Sequence, residues 1–235
     1  TRLVLSRAAH VFANGEFLAE RTRALAPRAR VDNLYLGVDT ERFRPVEKGL
    51  SPVRFLCARG FMPVYNNEYI VQALARLPEG LPPFEFVFTA PGPTLDPVRS
   101  LADRSLPVST RERVSFLGGV SDREVVEWLG RCHYFLSTSR SDGTAISLLE
   151  ALAAGLFPVL SDIPQNRPWA GHGRLVPLEQ PEVLAAQLRD LILDPRCWRD
   201  NVDANRALIL EHADGRRNAG RLARTLERIS AAAAP

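Results

Sequence analysis

From residue 53 onward, short apolar runs alternate with stretches in which apolar residues recur every three or four positions. The runs Val53–Ala58, Phe84–Thr89, Val114–Leu117, Tyr134–Ser137, Pro158–Ser161 and Arg174–Val176 predict strands. Their near-continuous hydrophobicity is what a strand covered on both faces requires. Between them, helical spacing predicts helices at Asn67–Leu77, Pro97–Ser105, Asp122–Arg131, Ala145–Ala154 and Pro181–Leu193. Ser121-Asp122-Arg123-Glu124 has the form of a capped helix start, and Gly155 that of a helix stop. The alternation predicts an α/β domain, a doubly wound parallel sheet, which binds ligands at the carboxyl ends of its strands.

The flanks follow a different pattern. Val11–Ala13 and Val31–Tyr35 read as strands around a helix at Glu16–Leu25. One such unit cannot bury its own faces, so residues 1–45 are expected to be the tail of another, amino-terminal domain that is mostly absent from this sequence. The opening Thr1-Arg2-Leu3-Val4, without Met and inside a helix-like stretch, points the same way. Gly37–Pro52 is polar, contains Pro45 and Gly49, and reads as a linker. Residues 46–194 then form the central domain, and residues 195–235 a closing pair of helices. Arg216, Arg217, Arg221, Arg224 and Arg228 line the last helix, as a solvated face or as a surface for docking the absent domain or an anionic membrane.

Composition narrows the function. A formal charge of +3 is too small to imply nucleic acid, even at a pI near 9.0. No apolar run approaches the ~18 residues of a membrane span, and no signal peptide opens the chain, so a cytoplasmic protein is expected, with peripheral membrane association left open. Cys57, Cys132 and Cys197 are far apart and outside metal-ligand spacing, and no metal site is expected. His10, His133, His172 and His212 have no partner at catalytic spacing, and Trp128, Trp169 and Trp198 read as packing residues.

The chemistry concentrates in Ser139–Gly155. Asp142 and Glu150 stand eight positions apart across a turn of small residues, where a loop becomes a helix. Unobstructed N–H groups at a helix N-terminus suit a diphosphate, and the carboxylates suit the hydroxyls of a sugar and a ribose. The layout suggests a nucleotide-sugar site.

Several segments together resemble the retaining group 1 glycosyltransferases of the GT-B fold. They are Val11–Phe17 and Leu36–Pro45 at the domain junction, Phe116–Asp122, the paired acids in Ser141–Glu150, and Ser161–Pro164 followed by Gly173–Val176. The resemblance implies that this chain is mainly the donor-binding half, a Rossmann-like domain. It assigns the ribose to Glu150 and the donor sugar to Asp142, where the family usually has Glu. Gly143, Thr144 and Ala145 would offer backbone N–H groups to the phosphates, and Arg59 would neutralise the leaving diphosphate. Leu117, Gly118 and Gly119 would meet the base. Tyr65 stands where the family usually carries Lys; its phenol donates a hydrogen bond but brings no charge. Gln165 and Pro168 depart from a common Gly and Glu.

The implied activity is metal-independent glycosyl transfer, with no cofactor, from a nucleoside-diphosphate sugar to an unknown glycan, lipid or small-molecule acceptor. The isolated chain is expected to bind donor weakly and transfer nothing. The alternatives are a nucleotide-sugar epimerase or hydrolase of similar fold, and a non-catalytic nucleotide-sugar-binding module.

Overall fold

The computed structural model describes residues 1–233, with side-chain environments through residue 231. Helix α1 (Arg2–Arg7), strand β1 (Val11–Ala13), helix α2 (Glu16–Leu25) and strand β2 (Val31–Asn33) form a first unit, whose two strands pair in parallel. The central domain runs β3 (Val53–Cys57), α3 (Asn67–Leu74), β4 (Phe84–Phe88), α4 (Leu95–Ser105), α5 (Val108–Arg111), β5 (Val114–Phe116) and α6 (Asp122–Arg131). It continues through β6 (Tyr134–Ser137), α7 (Ile146–Ala153), β7 (Phe157–Ser161), α8 (Arg167–Ala170), β8 (Arg174–Val176) and α9 (Pro181–Leu193). Helices α10 (Arg196–His212) and α11 (Gly215–Ala233) close the chain.

All six expected strands exist, and they form one parallel sheet in the order β5-β4-β3-β6-β7-β8. Strand side chains alternate between faces, and both faces are apolar. Phe55, Phe86 and Tyr134 pack toward α3, α4 and α9, while their neighbours Leu56, Val87 and Phe135 pack toward α6, α7 and α10. This two-sided burial explains why the strands lack polar alternation. Phe55 stacks between Phe86 and Tyr134, with ring centroids 6.0 and 4.9 Å away.

Boundaries differ by a few residues from expectation. The helix expected to run to Leu77 ends at Leu74, and that expected from Ala145 begins at Ile146, with Ala145 as its N-cap. Helix α5 and helix α8, four residues each, and the 3₁₀ turn Pro63–Tyr65 carry too little periodicity to be read from sequence.

Gly37–Pro52, expected to be a linker, contains no helix or strand and is docked against the rest of the chain. Val38 and Phe43 are buried, and Arg206 of α10 donates to the carbonyls of Thr40, Phe43 and Ala153 at 3.1, 3.0 and 2.9 Å. The Ala153 carbonyl ends α7, so one guanidinium joins linker and helix terminus. Gly155 has φ +77°, and a β-carbon there would lie 2.7 Å from Val202 Cγ1, which accounts for a glycine at the helix exit.

Cys57 and Cys132 are fully buried, and loss of solvent pushes their thiols up to about 11 and about 12. They are inert thiols. Trp169 and Trp198 are buried in packing roles, and His133 bridges the Arg54 N–H and the Gly49 carbonyl.

Replacing Phe55 by Ala removes the ring at the centre of the sheet and should cost about 3–5 kcal/mol. Urea denaturation measures this; a loss below about 1 kcal/mol would mean that the aromatic stack does not bear on stability.

Candidate functional site

The chain passes from β3 outward to β5, then returns to β6 and passes outward the other way to β8. Loops leaving β3 and β6 therefore diverge, opening a crevice at their carboxyl ends. Arg59 and Tyr65 lie on the first loop, Asp142 and Thr144 on the second.

The first loop is firmly rooted. Phe61 is buried against Phe88, which stacks in parallel on Phe116 at 4.7 Å. The Phe61 N–H donates to the Pro91 carbonyl at 2.9 Å, and Asn67 Nδ2 donates to the Gly60 carbonyl at 3.0 Å. The two loops are also laced together: the Arg140 N–H donates to the Val64 carbonyl at 2.8 Å and Thr138 Oγ1 to the Asn66 carbonyl at 3.0 Å.

On this base Arg59 is buried, with only 9% of its side chain exposed. Nη2 donates to Asp142 Oδ2, Nη1 donates to Ser147 Oγ at 3.2 Å, and the guanidinium lies over the Tyr65 ring at 4.2 Å. Nε has no acceptor among the described residues. Arg59 and Asp142, expected as separate contacts for a ligand, are thus paired with each other. Tyr65 meets the guanidinium through its ring face, a cation–π contact, where its hydroxyl was the expected handle.

Helix α7 begins beside this pair with no side-chain cap. Its first N–H groups have no intrahelical acceptor. One expected donor is taken: the Gly143 N–H bonds to Asp142 Oδ1 at 2.9 Å. An aspartate can reach back to the next amide, so the free donors begin beyond Gly143. Thr144 is held from the first unit, its hydroxyl donating to the Asn14 carbonyl at 3.0 Å and its carbonyl accepting from Asn14 Nδ2 at 3.2 Å. Asn14 Oδ1 accepts the Leu36 N–H at 3.2 Å, which fixes the orientation of the amide. A β-carbon on Gly15 would lie 3.0 Å from Thr144 Oγ1, so close approach requires this glycine.

Glu150 lies one turn beyond Ser147 on the same side of α7. Burial pushes its carboxyl up to about 7; Arg42 opposes the shift and Asp122 adds to it. Arg42 donates to the Asp122 carbonyl at 2.9 Å, which places it over the start of α6. Leu117, Gly118 and Gly119 form the exit from β5, with Gly118 at φ +70° and Gly119 against Pro91. Pro91 connects that exit to the Arg59 loop through Phe61. Asn14, Arg42 and Ser147 carry this geometry and were given no role from sequence, although each lies in a segment on which the resemblance rests.

No group of three or more His, Cys, Asp or Glu side chains that could hold a metal occurs among the described residues. No described helix is long and apolar enough to cross a membrane. A concavity of about 700 Å³ lies away from this crevice, between Phe12, Asp32 and Leu34 of the first unit and Arg221, Arg224 and Arg228 of α11. Its size reflects an open groove, whereas the crevice holds the convergent polar groups.

A sequence profile described as Glycosyl transferases group 1 matches residues 52–194, more than half of the chain. The chain belongs to this family. It is 25% identical over 202 residues to GDP-mannose:cellobiosyl-diphosphopolyprenol alpha-mannosyltransferase of Xanthomonas oryzae pv. oryzae, covering 82% of this chain and 51% of that protein. It is 28% identical over 155 residues to GDP-mannose-dependent alpha-(1-6)-phosphatidylinositol monomannoside mannosyltransferase of Mycobacterium tuberculosis, covering 59% and 39%. The chain therefore spans about half the length of these curated relatives, or less. HepE of Anabaena, in complex with UDP and glucose, superposes with a TM-score of 0.81 at 17% identity, over 97% of this chain and 65% of its own. The fold of this group 1 glycosyltransferase chain is thus the Rossmann-like α/β fold of GT-B proteins.

The Glu150 carboxyl titrates near 7 when folded and near the ordinary 4.5 when unfolded. Between those values the folded chain holds the extra proton, so stability falls as pH rises through that window. Glu150→Gln should therefore raise the melting temperature at pH 8 and leave it unchanged at pH 4. Melting curves at both pH values check this, and equal effects at both would remove the assigned burial penalty.

Proposed function

We propose that this chain is the donor-binding part of an enzyme that transfers a sugar from a nucleoside-diphosphate sugar with retention of configuration. The observation that carries the proposal is the buried Arg59 guanidinium, with an unpaired Nε, against the uncapped start of α7. Such a group of donors calls for an acceptor-only ligand, and phosphoryl oxygens meet that need.

Arg59 takes the diphosphate, exchanging Asp142 for phosphate oxygens on Nη2. The N–H groups from Thr144 into α7 add their dipoles. As the glycosidic bond to the diphosphate lengthens, negative charge grows on the leaving group, and these fixed donors stabilise it more than they do the ground state. Asp142, released from Arg59, holds the sugar through its oxocarbenium-like state. Glu150 accepts hydrogen bonds from the ribose hydroxyls, which restores polar partners to a carboxylate that burial disfavours. Neither acid needs to act as a nucleophile, so the separation rules of glycosidases do not apply. The Leu117–Gly119 exit receives the base, and Tyr65 holds the guanidinium over its ring face. No metal or cofactor is required in this scheme.

The domain reading is part of the proposal. A two-stranded unit buries little surface by itself. Residues 1–45 then belong to an acceptor-side domain, residues 46–194 bind donor, and residues 195–235 return toward the first unit, as the Asn218 Nδ2 bond to the Tyr35 carbonyl at 3.0 Å supports. The acceptor is left as a glycan, lipid or small molecule; both curated relatives act on lipid-linked substrates by name, which keeps peripheral membrane contact within the proposal. Both also use GDP-mannose, so that donor is the first to test.

Calorimetry with GDP and UDP on the chain, with Arg59→Ala and Glu150→Ala, tests the donor site. Each substitution should weaken binding by about 2 kcal/mol, roughly 30-fold. Affinity unchanged by either would reject the role of that residue. Anomeric analysis by NMR of the product made by the complete enzyme tests retention, and an inverted product would overturn it.

A further inference from the structure

The polar contact between the first unit and the central domain is concentrated on one residue from each. Among the described residues, the hydrogen bonds between residues 1–36 and residues 46–194 all join Asn14 to Thr144. The Asn14 carbonyl accepts from the Thr144 hydroxyl at 3.0 Å, and Asn14 Nδ2 donates to the Thr144 carbonyl at 3.2 Å. The surroundings fit closely. A β-carbon on Gly15 would lie 3.0 Å from Thr144 Oγ1, and one on Gly143 would lie 3.5 Å from Leu18 Cδ1.

The Asn14 side chain is itself held from behind. Its Oδ1 accepts the Leu36 N–H at 3.2 Å, and the neighbouring Gly15 N–H donates to Asn33 Oδ1 at 3.1 Å. The amide therefore turns its NH₂ group toward Thr144. On the other side of the contact, the main chain of residues 141–145 has no other hydrogen bond beyond its own loop and helix among the described residues. A trans peptide is planar, so the Thr144 carbonyl and the Ala145 N–H point in opposite directions. Holding that carbonyl toward the first unit turns the Ala145 N–H away from it, and this N–H has no acceptor among the described residues. With its hydroxyl and carbonyl both committed to Asn14, Thr144 likewise keeps only its N–H to offer.

We propose that Asn14 is a positioning residue for donor binding: from the first unit it fixes the Thr144–Ala145 peptide, so that the diphosphate meets an N–H already in place. The assignment rests on the donor reading of the crevice, and it adds a residue that acts through Thr144, both ends of its own amide being occupied. Diphosphate affinity of the central domain then depends on the first unit. Linkage makes that dependence mutual, so a bound diphosphate tightens the hold of Asn14 on Thr144 by the same factor. A nucleoside, which lacks the phosphates, produces neither effect.

Two measurements test this. Calorimetry compares GDP and UDP on wild type and Asn14→Ala, with guanosine and uridine followed by NMR shift changes. Asn14→Ala should weaken the diphosphates about tenfold and leave nucleoside affinity at the wild-type value. The second measurement needs only wild type: hydrogen exchange at the Leu36 amide, which is bonded to Asn14, should slow when GDP or UDP is added and stay unchanged with guanosine or uridine. Diphosphate affinity of Asn14→Ala equal to wild type overturns the assignment, and so do equal losses for diphosphate and nucleoside, which mark a loosened fold. Should Asn14→Ala fail to fold, Leu36 exchange unaltered by a bound diphosphate overturns it instead. Wild type binding neither GDP nor UDP removes the donor reading itself, whereas wild-type binding with an indifferent Asn14→Ala removes only the part given to Asn14.

Discussion

The buried guanidinium of Arg59 is the constraint around which the crevice is organised. It is the one arginine among the described residues that the fold buries. A cation removed from water must recover its hydration from the protein. Arg59 does so from three directions: the Asp142 carboxylate, the Ser147 hydroxyl and the face of Tyr65. Those partners come from the loop after β3, the loop after β6 and the start of α7. Their meeting requires the strand order that puts β3 beside β6. The aromatic cluster of Phe61, Phe88 and Phe116 then fixes the loop that carries the charge.

The crevice gathers groups whose bonding the chain itself leaves incomplete. Helix α6 begins with a complete capping box, Ser121 and Glu124 satisfying each other's backbone N–H. Helix α7, like α3, α4 and α9 of the same domain, begins without a side-chain cap, and it does so beside a buried cation. The unpaired Arg59 Nε and the raised Glu150 carboxyl lie at the same end of the sheet. Unmet donors and a disfavoured carboxylate oppose folding, and the two packed faces of the sheet offset them. Such local conflicts gather at functional sites because binding a ligand resolves them together.

Hydrophobic spacing made the sheet legible. Strands such as Tyr134–Ser137 are buried on both sides, so every residue had to be apolar or small, and the run was visible without knowledge of its neighbours. The longer helices were legible because one face packs while the other is solvated. The four-residue helices α5 and α8 were not, since a single turn gives no period. The site was partly legible: the spacing of Asp142 and Glu150 across a small-residue turn marked a loop-to-helix junction. Ser147 lay inside the singled-out segment without a role of its own, because a serine in a helix has no distinctive signal; only the arrival of Arg59 from 88 residues away gives it a partner.

The sequence by itself determined the elements, the parallel class of sheet and the two acids on one segment, because periodicity, burial pattern and turn chemistry act over a few residues. Only the tertiary structure decided that Arg59 pairs with Asp142, that Asp142 occupies the Gly143 amide, and that Asn14 grips Thr144 across 130 positions. Hydrogen-bond donors find acceptors by distance and angle in space, and no local pattern of residue types encodes which distant loop will supply the partner.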